Sequence, residues 1–175
     1  MTTQPAANKP AETMNNAGFT KAMAAGRQNF SGVRFVDEIN WPADTELTGY
    51  YYFDHAVFQH DLNIGDARLW GTLRLDHAVF QGKLQVFRSK IVYINAFQAT
   101  FAGAAAFANG SWFNNLSLNG SHFQRQLWIE ADIATKFCLD WVRSPKTYID
   151  WDRVPFGIDE SKASLGEIHL LPKNR

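Results

Sequence analysis

Along the middle of the chain, inner-type side chains come in pairs two residues apart, and the pairs recur every five or six residues. One kind sets a small residue before a large one: Ala56/Phe58, Ala67/Leu69, Ala78/Phe80, Ser89/Ile91, Ala99/Phe101, Ser111/Phe113, Ser121/Phe123 and Ala131/Ile133. The other kind falls between them and is mostly large: Leu62/Ile64, Leu73/Leu75, Leu84/Val86, Ala105/Phe107, Leu116/Leu118, Leu127/Ile129 and Phe137/Leu139. Between Ile91 and Ala99 the pattern blurs through Tyr93, Ile94, Ala96 and Phe97, and no pair is assigned there.

Residues i and i+2 of an extended chain point to the same face. Each pair therefore marks a short extended segment with two inward side chains, and the roughly three residues left over turn a corner. Four segments make a coil of about 22 residues, which is the interval at which Asp54-His55-Ala56-Val57-Phe58-Gln59 returns as Asp76-His77-Ala78-Val79-Phe80-Gln81. Steps of five and six fit no helical period. A fixed repeat of this length predicts stacked coils. Asn109-Gly110, Asn119-Gly120, Gly65, Gly71, Gly82 and Gly103 fall near the corners, where residues that tolerate positive φ are expected. Alanine and serine at some inner positions leave room for phenylalanine and leucine at others.

Ala-x-Phe-x-Gly-x-Leu-x-Val from Ala78 to Val86, and Ala-Thr-Phe-x-Gly-x-Ala-x-Phe from Ala99 to Phe107, resemble the pentapeptide-repeat family. The resemblance covers roughly residues 53–139 and extends weakly back to Phe30. It implies a right-handed, four-sided (quadrilateral) parallel β-helix, an all-β solenoid; a bacterial source is expected. The chain departs from that family's strict ten-residue double step by using 11 and 12.

Three regions are expected. Residues 1–29 form a polar, disordered tail to about Met14 and then a cap helix from Asn16 to Ala25, with Asn15 or Asn16 as its N-cap. Residues 30–140 form the β-helix, its first coil irregular and carried by Val33/Phe35, Ile39/Trp41, Thr45/Leu47 and Tyr51/Phe53. Residues 141–175, rich in aromatics, lose the register after Leu139 and form a cap or an oligomerisation segment, with a short helix starting at Asp159 to Lys162.

Charge narrows the functional classes. Seventeen basic and seventeen acidic residues give no net pull toward nucleic acid or an anionic membrane. The single cysteine, Cys138, excludes an internal disulfide framework. No secretory signal and no membrane-spanning apolar run is recognisable, so a cytoplasmic protein is expected.

Candidate chemistry is sparse. Asp54-His55 stacks under Asp76-His77 in a 22-residue coil, which brings two metal-ligating pairs together; a solvated ladder in which Asp partners His explains the same residues. His60 and His122 stand alone. Cys138 points outward beside Lys136, and an inert thiol is expected. Asp54, Asp61, Asp66 and Asp76 are the only carboxylates placed for glycoside chemistry. No catalytic, cofactor or metal site is therefore assigned.

From Ile91 to Gln124 the chain holds no Asp, Glu, Lys or Arg. Trp112 falls at an outward position in this stretch, beside Asn114 and Asn115, and charge-poor surface with an aromatic is the composition of an interface core. Trp128 is a second outward indole, and Trp141, Tyr148 and Trp151 form a third candidate contact. The expected function is a non-enzymatic protein-interaction scaffold or adaptor, docking a protein partner or its own copy through flat β-helix faces. The resemblance implies an alternative, a DNA-mimicking protein that binds a type II topoisomerase such as gyrase. That role calls for acidic walls, yet six acidic residues between Asp54 and Asp132 are matched by six basic ones. A carbohydrate-binding or carbohydrate-active β-helix is the third class.

Overall fold

The computed structural model of the chain describes residues 11–150, 153 and 163–170. They form a parallel β-solenoid of about six turns with one short helix. Three ladders run along it. The first stacks β1 (Thr13–Met14), β2 (Arg34–Phe35), β5 (Val57–Phe58), β8 (Val79–Phe80), β11 (Thr100–Phe101) and β14 (His122–Phe123). The second stacks β3 (Ile39–Asn40), β6 (Leu62–Gly65), β9 (Leu84–Phe87), β12 (Ala105–Ala108) and β15 (Gln126–Ile129). The third is a separate five-stranded sheet of β4 (Glu46–Tyr52), β7 (Arg68–Arg74), β10 (Lys90–Asn95), β13 (Trp112–Ser117) and β16 (Asp132–Cys138). The strand β17 (Arg143–Ile149) joins the first two ladders by pairing with both β14 and β15, and β18 (Ser164–Leu170) pairs with β17.

Every one of the regular inward pairs from Ala56/Phe58 to Phe137/Leu139 is buried. Alternation alone therefore placed the core, four pairs to a coil. Like residues stack on like: Phe35, Phe58, Phe80, Phe101 and Phe123 form a continuous column of rings, with centroids 4.7, 4.8, 4.7 and 4.5 Å apart and planes within 9° of parallel. The spacing is that of hydrogen-bonded strands, so the backbone ladder and the ring column share one repeat. The blurred slot also resolves, because Ile94 and Ala96 are its inward pair. Register shifts at Ile91/Tyr93 and Phe113/Asn115 show that β10 and β13 are one residue shorter at the bend than β7 and β16. The missing residue breaks the alternation in the sequence but not in space.

The corners carry the strain. Gly32, His55, His77, Gln98, Gly120 and Trp141 occupy the same corner in successive coils, all left-handed, with φ between 52° and 70°. Four of these six are not glycine, although the left-handed region costs an L-residue roughly 1–2 kcal/mol. Each of the first five donates its N–H to the coil above, as His55 does to the Asp76 carbonyl at 2.9 Å and Gln98 to Asn119 at 2.9 Å. The turn is thus held by the ladder rather than by local preference. Gly65, Gly71, Gly82 and Gly103, expected to supply positive φ, do not. Gly103 is small for another reason: a Cβ there would lie 2.2 Å from the Gly82 carbonyl oxygen.

Both ends differ from the sequence expectation. Residues 11–14, expected in the tail, are tied into the fold: Met14 is buried, β1 pairs with β2, and Arg27 binds both carboxylate oxygens of Glu12 at 2.7 and 2.8 Å. The expectation for residues 1–10 lies outside the described residues. Helix α1 (Asn16–Ala24) is capped by the Asn15 side chain, which accepts from Gly18 N–H at 2.8 Å. It drops Phe19 onto Phe30, Phe35, Trp41 and Phe53 and closes that end of the core. At the other end the coil continues past Leu139, with Val142, Ser144, Thr147 and Ile149 buried. Two of these inner residues are polar and Pro145 interrupts the run, which is why the apolar pattern fades there. Residues 164–170 are strand, not the expected helix; its start at Asp159 to Lys162 lies outside the described residues.

Candidate functional site

The outer side of the five-stranded sheet carries three exposed rings. Tyr50 on β4, Trp70 on β7 and Tyr93 on β10 are 58%, 47% and 39% exposed. Register brings them together: Tyr50 and Tyr93 both pair with Thr72, and Trp70 pairs with Thr48. Thr72, in register between Tyr50 and Tyr93, is buried. Trp70 is oriented by its indole N–H, which donates to Glu46 at 2.7 Å. Tyr50 lies against Tyr52 at 6.2 Å, and the Arg74 guanidinium covers the Tyr52 ring at 5.3 Å.

Charged groups frame the rings on both sides. One border is the column Glu46, Arg68 and Lys90. The other is Arg74, which donates to Asp54 at 2.7 Å and reaches Asp76 at 3.3 Å. The Asp54 hydrogen bond is the main reason the Arg74 guanidinium is held even more firmly protonated than usual. An apolar centre with a charged rim is the anatomy of a protein-binding patch.

Three residues singled out from the sequence lie on this same sheet, one coil further on. Trp112, Asn114 and Asn115 are outward on β13 and half-buried, with Asn115 paired to Tyr93. Asn114 accepts from the Thr135 hydroxyl at 2.6 Å, while the buried Asn115 side-chain oxygen has no hydrogen-bond partner among the described residues. Trp128 and Tyr148 are elsewhere, stacked on each other at 4.6 Å on the second ladder. Trp141 is 67% exposed at the left-handed corner, apart from both groups. Trp151 lies outside the described residues. Absence of charge along the chain does not mark Tyr50 and Trp70, because charged residues flank both in sequence, and Tyr93 sits close to Lys90 at the edge of the charge-free stretch. Their signal was present, a large aromatic at an outward position in three successive coils.

The Asp-His ladder forms as its repeat requires. His55 and His77 stack at 4.8 Å with planes 4° apart, and Phe97 meets His77 edge-on at 5.7 Å. Arg74 binds the carboxylates of both Asp54 and Asp76. Among the described residues no group of three or more His, Cys, Asp and Glu gathers to hold a metal. Asp66 is bound by Arg88 at 2.8 and 2.6 Å, and Asp61 accepts from the Lys83 backbone N–H at 2.7 Å. No helix among the described residues is long and apolar enough to cross a membrane.

Compared with protein-family models, with curated proteins and with solved structures, the chain matches none of them.

Proposed function

We propose that this chain is a non-enzymatic docking subunit: a right-handed, four-sided coil, working in the cytoplasm, that binds a protein partner through the outer side of its five-stranded sheet. Four inward pairs per coil support the four-sided shape, and the strong bias of parallel crossovers supports the hand. The pentapeptide-repeat resemblance agrees with both.

The observation that carries the docking role is the set of rings Tyr50, Trp70 and Tyr93, exposed inside a charged frame on one sheet. Tyrosine and tryptophan dominate binding energy at such surfaces. A flat sheet offers area without a cleft, which favours binding over catalysis. The topoisomerase-binding alternative calls for free carboxylates in register, whereas Asp54, Asp66 and Asp76 each face an arginine. A sugar-binding role would use the same rings as stacking platforms.

The test is the double substitution Trp70→Ser with Tyr93→Ser. The far-UV spectrum and melting temperature should stay close to wild type, because both rings are outside the core. A stoichiometric protein partner co-purified by the wild-type chain should be lost. Retention of that partner by the variant would place docking elsewhere. Retardation of the wild type, but not the variant, by immobilised glycans would instead favour the sugar-binding role.

A further inference from the structure

A second surface, separate from the ring cluster, has the make-up of an anion site. The link between the first and second ladders is Gln81-Gly82-Lys83 in one coil, Ala102-Gly103-Ala104 in the next and Gln124-Arg125, followed by Gln126 at the start of β15, in the third. The middle link has almost no side chain, so the corner is notched there. The notch is open and shallow, about 1010 Å³, and extends to Pro145 and Lys146. Its floor cannot be filled from within, because Gly82 and Gly103 each approach the backbone of the coil beneath too closely for a Cβ.

The chemistry of the rims is one-sided. Lys83, Arg125 and Lys146 line the notch against a single carboxylate, Asp61, which already accepts the Lys83 backbone N–H. Neither Lys83 nor Arg125 has an ion pair among the described residues. Beside the cations, in the same coils as Lys83 and Arg125, stand the amides of Gln81, Gln124 and Gln126, each able to donate and accept. No aromatic ring lines the notch to stack a base or a sugar, which single-stranded nucleic acid sites depend on. Amides that match peptide N–H and C=O groups, with cations on either side of a floor one coil wide, suit an extended chain bearing carboxylates.

We propose that this notch binds an acidic, extended peptide segment, with Lys83 and Arg125 pairing its carboxylates and the glutamines holding its backbone. The site stands independently of the ring cluster.

The test uses a fluorescein-labelled peptide of alternating Glu and Gly, about ten residues long so that it outspans the notch, in fluorescence anisotropy with the full chain. Saturable binding is expected, weakening as salt rises. The charge reversal Lys83→Glu with Arg125→Glu should weaken it at least about tenfold. Both side chains are exposed, and an unchanged melting temperature would show that the fold survives. With the wild-type protein, peptide-induced amide shifts should centre on Ala102, Gly103 and Ala104, which tests the site even if the variant misfolds. Absence of saturable binding, equal binding by the reversal variant, or shifts centred elsewhere would overturn the proposal. Equal competition by a thymidine oligonucleotide of matching charge would overturn it too, by revealing an undiscriminating polyanion surface.

Discussion

At the scale of single residues, the inner serines do more than leave space. Ser111 Oγ accepts the Ser89 backbone N–H at 3.3 Å and donates to the Ala108 carbonyl at 2.9 Å. Ser89 Oγ likewise accepts from Ala67 N–H at 3.1 Å and donates to Phe87. Each hydroxyl satisfies a buried amide at a corner where the regular ladder is interrupted. Ser111→Ala keeps the volume but orphans the Ser89 N–H, and should cost about 1–3 kcal/mol in urea denaturation. Phe80→Ala, which removes a ring from the middle of the column, should cost about 3–5 kcal/mol by the same measurement. Ala78→Leu should cost about 1–3 kcal/mol by overpacking the position opposite. On the surface, the hydrogen bond from Arg88 holds the Asp66 carboxyl below the usual aspartate range. A lowered carboxylate pKa stabilises the fold above the ordinary aspartate pKa, and that contribution disappears as pH falls through the lowered value. Solvent screens this exposed pair, so its effect on stability is small. Arg88→Gln should move the Asp66 midpoint up toward the ordinary range in an NMR carboxyl titration.

At the scale of elements, corners rather than strands set the shape. Strands of two to seven residues are too short to hold themselves, and their register comes from the coil beneath. Left-handed residues at recurring positions turn the chain, and their N–H groups bind across to the next coil. Gln98 makes this testable because its φ of 52° is strained and its side chain is exposed. Gln98→Gly should stabilise the protein slightly, by about 0.5–1 kcal/mol, through relief of left-handed strain partly offset by unfolded-state entropy. A lower melting temperature would show that the Gln98 side chain contributes more than its backbone costs. The repeat, the inward pairs and the Asn-Gly corners at residues 109–110 and 119–120 were legible because each leaves a local mark. His55, His77 and Trp141 were not legible as left-handed, since nothing in those side chains asks for that conformation. At His55 and His77 the ladder hydrogen bonds to the Asp76 and Phe97 carbonyls impose it.

For the molecule as a whole, stability is close to a sum over neighbouring coils, so the ends need covers. α1 and Phe19 close one end. Phe19→Asp should leave the distant coils folded but expose Phe30, Phe35 and Phe53, and the expected readout is concentration-dependent association on size exclusion. A monomeric, fully stable variant would show that the helix is dispensable as a cap.

What the residues alone determined is the coil: its 22-residue period, its inward pairs and the order of its segments. A two-residue alternation is a property of the extended backbone and needs no partner to be read. The tertiary structure decided the surface. Tyr50, Trp70 and Tyr93 lie 20 residues or more apart in the chain, and only the register of three strands sets them around Thr72. Lys83 and Arg125 are separated by two coils, and only the small residues between them turn their corner into a notch. Burial is written locally because each strand has an inside and an outside, whereas a site is made of neighbours that the stacking of coils chooses.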